Sequence, residues 1–125
     1  MEIVNLHDVN FDPLTMVIID RKSIWGNPFK MTSESDRMEV IEKYVYYILD
    51  KPELLDKLDT LYYKTLACWC DPKPCHGEVL RYLACRPWIV ARYRQGKITK
   101  KRIMLDIFKM NGWNAPKASK QVTLF

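Results

Sequence analysis

The chain has 125 residues, 48% of them hydrophobic, and a net charge of +5. This length suits one modest core, and the ordinary apolar fraction argues against wholesale disorder. No stretch reaches the roughly 18 consecutive apolar residues of a membrane helix, and the first residues do not open a signal peptide, so we expect a cytoplasmic protein without a membrane partner.

The charges are unevenly distributed along the chain. Residues 1–85 hold ten basic and fourteen acidic side chains, whereas residues 86–125 hold ten basic ones and only Asp106. A basic end on an acidic body favours contact with nucleic acid, although a solvated basic face has the same composition. The candidate nucleic-acid contacts are Lys97, Lys100, Lys101 and Arg102.

Three segments predict β-strands. Residues 2–6 form a short apolar run, residues 16–20 are a β-branched run typical of a buried strand, and residues 65–70 predict another core strand. A loop that contains Gly-Asn-Pro follows the second strand, and a loop bracketed by prolines follows the third.

Apolar residues at helical spacing predict five helices between and after these strands. We expect them to begin near residues 35, 52, 75, 88 and 99. In the last helix, Thr99 is the predicted N-cap, Ile103, Ile107 and Phe108 point inward, and Asn111-Gly112 ends the helix.

This alternation predicts a small single-domain α/β fold, a Rossmann-like open sheet flanked by helices. We expect the α/β domain over residues 1–87, a basic helical extension packed on it over 88–113, and a flexible tail over 114–125. Ligands of such sheets bind beyond the carboxyl ends of the strands. If the strands that precede loops 21–29 and 71–77 are parallel neighbours, these two loops form one crevice.

The segment 68–77 holds three of the four cysteines and a histidine. Zinc bound by Cys68, Cys70, Cys75 and His76 is one interpretation, because three thiolates and an imidazole satisfy tetrahedral zinc. The spacing disfavours it, since common zinc knuckles use Cys-x-x-Cys. We therefore assign no cofactor and keep zinc as the alternative.

The preferred interpretation is a reactive site at the start of a helix. Unpaired amides near Gly77 bind an anion there, and Lys73 adds positive charge. The helix dipole is expected to lower the pKa of Cys75 and make it a nucleophile, while His76 acts as acid or base. A third interpretation leaves the cysteines as buried hydrophobes and His76 as a cap of the turn.

The loop after the second strand supplies the other half of the predicted crevice. Gly26 permits close backbone approach to a ligand, and the Asn27 amide offers donors and an acceptor. Arg21 and Arg37 each suit a phosphate or carboxylate. Trp25 stacks on a base or, alternatively, packs in the core. Together these groups favour a nucleotide-like small molecule as the ligand.

Two separated motifs, R-x-x-x-W-G-N-P-F at residues 21–29 and C-W-C-x-P-x-x-C-H-G at residues 68–77, resemble those of a domain-of-unknown-function family of phage and bacterial genomes. The resemblance spans residues 16–85. It implies that the two motifs belong to one site and that the protein acts in a bacterial host cell, and it leaves the activity open.

The last five residues resemble the Gln-x-x-Leu-Phe peptide by which replication and repair proteins hold the bacterial sliding clamp. The resemblance implies that Leu124 and Phe125 fill an apolar pocket of the clamp and that Gln121 makes polar contacts beside it. A terminal segment packed on its own domain is the alternative.

Together these features predict a phage-type DNA-metabolism protein held at the sliding clamp. It would be a transferase or hydrolase acting on a nucleotide or nucleic-acid component, with Cys75 and His76 supplying nucleophilic and proton-transfer chemistry. A zinc-stabilised, non-catalytic DNA-binding module is one alternative. A clamp-binding adaptor that redirects host replication is another.

Overall fold

The structure is a computed structural model that describes residues 1–70 and 72–115. It contains both strands and helices, as the sequence predicts, but β1 and β2 follow one another without a helix between them. The strands are β1 (Ile3–Asn5), β2 (Met16–Ile18) and β3 (Thr65–Cys68). The helices are α1 (Arg37–Leu49), α2 (Pro52–Leu55), α3 (Gly77–Ala84), α4 (Pro87–Arg94) and α5 (Lys100–Met110), with short 3-10 helices at Glu34–Asp36 and Leu58–Leu61.

The three strands form one parallel sheet in which β3 lies between β1 and β2. Leu66 in β3 is opposite Ile3 on one side and Val17 on the other. The chain passes from β2 to β3 through helices, which is the kind of crossover that parallel neighbours need. A small open parallel sheet with helices is therefore confirmed, while the Rossmann-like arrangement and the domain boundaries stay predictions.

Parallel pairing places the carboxyl ends of all three strands at one edge of the sheet. Backbone hydrogen bonds continue the pairing past the strand ends, from Leu6 N–H to the Cys68 carbonyl at 2.8 Å and from Ile19 N–H to the Ala67 carbonyl at 2.9 Å. The loops that follow β2 and β3 consequently leave the sheet side by side. This is the arrangement on which the predicted crevice depends.

One segment between α1 and β3 differs from its predicted form. Leucines at 54, 55, 58 and 61 recur at helical spacing, so the helix predicted to begin near residue 52 is expected to bury them on one continuous face, but the chain forms the four-residue α2 and then a separate 3-10 helix. The leucines that the pattern places inward are all buried nevertheless. They are Leu54, Leu55, Leu58 and Leu61.

The basic helix α5 is joined to the body by its apolar face. Ile103, Ile107 and Phe108 are buried, as predicted, in the same hydrophobic cluster as the inner face of α1. The Thr99 hydroxyl accepts a hydrogen bond from Arg102 N–H at 3.1 Å, which confirms the N-cap. Gly112 follows the helix with φ of 69°, a conformation that favours glycine.

No helix in the described ranges 1–70 and 72–115 combines the length and apolarity that crossing a membrane would require.

Ile107→Ala tests whether α5 is part of the core. Ile107 is fully buried, so its truncation is expected to lower the free energy of unfolding by about 2–5 kcal/mol. Leu105 lies on the same helix but is exposed, and Leu105→Ala is expected to change that free energy by no more than about 0.5 kcal/mol. Urea unfolding followed by circular dichroism measures both, and equal effects would contradict the packing of α5.

Candidate functional site

A cavity of about 360 Å³ lies at the carboxyl edge of the sheet. The loop after β2, the start of α1 and the loop after β3 all contribute to its wall, so the two predicted halves of the crevice line one cavity. Of the residues predicted to form the crevice, five line this cavity together with Cys68 and Cys70 of the zinc alternative, whereas Trp25, Gly26, Lys73 and Gly77 do not line it. Those that the argument uses are Arg21, Asn27, Arg37, Cys70, Cys75 and His76.

The sulfur atoms of Cys68, Cys70 and Cys75 lie within 4.8 Å of one another. Cys68 and Cys70 are two residues apart where β3 ends, which directs their side chains to one side, and the proline loop brings Cys75 back to them. The Sγ atoms of Cys68 and Cys75 are 3.2 Å apart. Cys68 and Cys75 are buried, whereas Cys70 is half-buried. Three cysteines placed in this way could bind a metal ion.

Because these thiols are in close contact, the pKa values of Cys70 and Cys75 are shifted in opposite directions. Hydrogen bonds with Cys68 and Cys75, helped by the Arg37 guanidinium, hold the pKa of Cys70 well below its ordinary value. Hydrogen bonds with Cys68 and Cys70, together with burial, raise the pKa of Cys75. The pKa of Cys75 is therefore shifted opposite to the lowering expected from the helix dipole. Of these two thiols, Cys70 is the one whose surroundings favour the thiolate form.

His76 is buried and held by one short hydrogen bond. Its Nε2 lies 2.7 Å from the Ile19 carbonyl oxygen. Burial lowers the pKa of His76, so the imidazole is neutral, and Nε2 must carry the proton because a carbonyl only accepts. Nδ1 keeps its lone pair and lies 3.6 Å from Cys75 Sγ. The imidazole also meets the Tyr44 ring edge-on, with 4.9 Å between centroids.

The first amides of α3 have partners inside the protein. Gly77 N–H points at Cys75 Sγ, 3.4 Å away, and Glu78 N–H donates to the Cys75 carbonyl at 3.1 Å. The expectation of unpaired amides at this helix start is therefore wrong. A Cβ on Gly77 would lie 2.9 Å from Ile19 Cδ1, so glycine allows close packing here. The phosphate contact predicted for Gly77 stays a prediction.

Arg37, the first residue of α1, joins the two sides of the site. Its Nε and Nη2 donate to the two carboxylate oxygens of Glu34, each at 2.8 Å, and its Nη1 donates to the Pro74 carbonyl at 3.0 Å. Lys73 Nζ also lies 3.2 Å from Glu34. Arg37 and Lys73, both predicted to bind a ligand anion, are thus paired with a carboxylate of the protein itself.

The loop after β2 is shaped by its own side chains. Asn27 Nδ2 donates to the Val40 carbonyl at 3.0 Å, and Asn27 Oδ1 accepts from Phe29 N–H at 3.0 Å. A Cβ on Gly26 would lie 2.4 Å from the Asp20 carbonyl oxygen, so the backbone closes on itself where only glycine fits. These contacts explain the Gly-Asn-Pro sequence structurally, and the predicted ligand contacts of Gly26 and Asn27 stay predictions.

Trp25 packs in the core under this loop. Only 4% of its surface is exposed, and its carbonyl accepts a hydrogen bond from the Tyr44 hydroxyl at 2.7 Å. Of the two predicted alternatives, the structure places Trp25 in the core, and base stacking by this residue stays a prediction. Trp69 also lines the cavity and is 51% exposed. Trp69 lies between two cysteines at the end of a strand. This position indicates a site residue, although Trp69 was not predicted to be one.

Arg21 and Lys22 are exposed cations that line the cavity. Neither forms an ion pair with any residue in the described part of the chain. Lys22 was not predicted, although it adjoins Arg21 in the motif. The two side chains leave positive charge available beside the thiol cluster.

The basic residues predicted to contact nucleic acid lie at and before the start of α5. Lys97, Lys101 and Arg102 are exposed. Lys100 Nζ is 2.5 Å from Asp50 Oδ1, an ion pair that joins α5 to the end of α1. The predicted nucleic-acid contacts stay predictions. Gln121, Leu124 and Phe125 lie outside the described residues, and so does the predicted flexible tail beyond residue 115.

A family model described as a domain of unknown function, DUF4326, matches residues 4–86. The chain belongs to this family. The matched residues include both loops of the cavity and all of the sheet except Ile3, and they end before α4. The predicted relationship to a domain-of-unknown-function family is confirmed, while the significance of its two motifs stays a prediction.

An uncharacterized protein of Acanthamoeba polyphaga mimivirus is 36% identical over an alignment of 66 residues, which covers 46% of this chain and 50% of that protein. The chain thus spans about half the length of this curated relative. No solved structure matches the chain.

Proposed function

We propose that the cavity binds a nucleotide-like ligand and that its thiol and imidazole groups act on that ligand, as a transferase or hydrolase would. The supporting observation is that Arg21 and Lys22, which have no ion pair among the described residues, line one cavity with Cys70 and His76 beyond the carboxyl ends of parallel strands. Ligands of Rossmann-like sheets bind at this edge. Cations suit a phosphate, and a thiolate is a strong nucleophile.

The role of each residue in this proposal follows from its contacts. Arg21 and Lys22 bind the phosphate, because neither is paired with a carboxylate among the described residues, whereas Arg37 is paired with Glu34 and also bonds the Pro74 carbonyl. Arg37 instead positions the loop after β3 and favours the thiolate form of Cys70.

The chemistry of the proposal centres on the sulfurs and the imidazole. Cys70 takes the nucleophilic role predicted for Cys75, since Cys70 is the less buried of the two and carries the thiolate. The Cys75 thiol donates a hydrogen bond within the cluster. As the Cys70 sulfur bonds to the ligand, the bond from the ligand to its leaving group breaks. His76 Nδ1, which has a lone pair, then accepts the proton of the water or alcohol that displaces the ligand from sulfur.

Arg21→Ala tests the phosphate site. The wild-type chain is expected to bind a nucleoside 5′-monophosphate, and the variant to bind it about tenfold more weakly or worse, because a hydrogen bond to a charged group contributes about 1.5–3 kcal/mol. Isothermal titration calorimetry gives both affinities. Arg92→Ala removes an exposed arginine from α4 and serves as the matched control. Equal affinities of the two variants would contradict the assignment.

The thiol cluster supports a second candidate, a zinc-stabilised DNA-binding module without catalysis. Zinc–ligand distances of about 2.3 Å to sulfur and about 2.0 Å to nitrogen place tetrahedral S and N ligands about 3.5 Å apart. His76 Nδ1 and Cys75 Sγ are 3.6 Å apart, but the ligand atoms that all lie within 4.8 Å of one another are the three sulfurs without the imidazole. Zinc-bound histidines also tend to donate their other N–H to a carbonyl or carboxylate, as His76 does to Ile19. In this candidate the basic side chains of α5 bind phosphates.

Metal content separates the two candidates. The second predicts about one zinc per chain in purified protein, lost on chelation together with much of the thermal stability, because structural zinc contributes directly to folding. Cys70→Ser is expected to lose the zinc, and Cys85→Ser, which alters the cysteine outside the cluster, to retain it. Protein that contains no stoichiometric zinc and melts at the same temperature in chelator would contradict the second candidate.

We further propose that residues 121–125 tether the protein to the sliding clamp of a bacterial host. The sequence resemblance carries this proposal. A peptide of residues 116–125 is expected to bind a bacterial clamp, and the same peptide with Leu124→Ala and Phe125→Ala is not. Failure to bind even at millimolar peptide would contradict the tether.

A host effect that survives His76→Ala but requires the tail would favour the adaptor hypothesis.

A further inference from the structure

Trp69 is an exposed aromatic side chain in the wall of the cavity. It follows β3, between Cys68, which is 1% exposed, and Cys70. Because successive side chains of an extended chain point to opposite sides, the inward direction of Cys68 turns Trp69 outward, where 51% of its surface is exposed. The position therefore presents a large planar ring at the carboxyl edge of the sheet.

Polar contacts from both neighbouring segments fix this ring. The indole Nε1 donates to Asp20 Oδ2 at 3.3 Å, and the His7 ring meets the indole edge-on with 4.6 Å between centroids. Asn5, at the end of β1, donates from Nδ2 to the Trp69 carbonyl at 3.3 Å. An aromatic ring held in one orientation while exposed is preorganised for stacking, because less side-chain entropy is lost when a ligand covers it.

The ring and the free cations of the cavity belong to the same wall. Asp20, which bonds the indole, directly precedes Arg21 and Lys22 in the chain, and all of them line the cavity. A flat apolar surface next to two cations matches a molecule that carries a planar ring and a phosphate. A bare anion would leave the indole unused.

We propose that Trp69 is the surface on which the base of a mononucleotide stacks, while Arg21 and Lys22 bind its phosphate. The inference rests on the proposed nucleotide-binding function, whose ligand it specifies. It assigns base stacking to a half-exposed tryptophan in the cavity wall instead of the buried Trp25. Stacking depends little on base identity because every base has a π-face, so purine and pyrimidine nucleotides both bind.

The test uses the full chain with two probes, adenosine 5′-monophosphate and ribose 5-phosphate, and measures affinities by isothermal titration calorimetry. Trp69→Leu is expected to weaken binding of the nucleotide by about tenfold or more and to leave binding of the sugar phosphate unchanged. Trp69→Phe keeps an aromatic ring and is expected to restore most of the nucleotide affinity. Trp88→Leu is the matched control, since Trp88 is 59% exposed and lines a different cavity.

The outcomes distinguish failure of stacking on Trp69 from failure of the proposed nucleotide-binding function. Nucleotide binding by Trp69→Leu equal to that of the wild type overturns stacking on Trp69 and leaves the phosphate site standing. Equal weakening of both probes in Trp69→Leu, without rescue by Trp69→Phe, assigns the residue a structural role and also overturns stacking. A wild-type chain that binds neither probe overturns the proposed function and, with it, this inference.

Discussion

The hydrogen bond from His76 Nε2 to the Ile19 carbonyl is the contact on which the site depends. This bond is buried, and its two atoms are 2.7 Å apart. It joins the loop after β3 to the end of β2. By fixing the proton on Nε2, it leaves the Nδ1 lone pair beside Cys75. Both candidate functions use that lone pair, one as a proton acceptor and the other as a metal ligand. The bond fixes the imidazole orientation and joins the two loops, together with the bond from Trp69 Nε1 to Asp20.

The charge of the thiol cluster determines which chemistry it supports. Three thiolates in close contact repel one another unless a cation lies between them, whereas one thiolate beside two thiols is stabilised by their hydrogen bonds. Without metal, the lowered pKa of Cys70 and the raised pKa of Cys75 describe this second state. Arg37 adds a fixed positive charge from α1. Zinc would replace both protons and make the cluster structural. A chain that contains zinc is therefore not expected to have a reactive thiol in this cluster.

Much of the scaffold could be predicted from the sequence because its signals are local. The β-branched run before Asp20 indicates the buried segment at the end of β2, and Thr99 with Gly112 marks the ends of the basic helix. The pairing of the loops into one cavity was predicted only on the condition that β2 and β3 are parallel neighbours, which the structure shows. The expected pKa of Cys75 was wrong because it depends on sulfur contacts across the loop. That Arg37 pairs with Glu34 was foreseeable from their spacing of three residues, and the sequence interpretation overlooked it.

The protonation of His76 is the most direct test of this account. Long-range ¹H–¹⁵N correlation spectra of the full chain at neutral pH assign the imidazole tautomer from its two nitrogen shifts. The structure requires a neutral ring with the proton on Nε2 and an unprotonated Nδ1, because Nε2 faces a carbonyl and burial lowers the pKa of His76. A ring protonated on Nδ1 alone, or a doubly protonated ring, would contradict the bond to Ile19 and the site built on it.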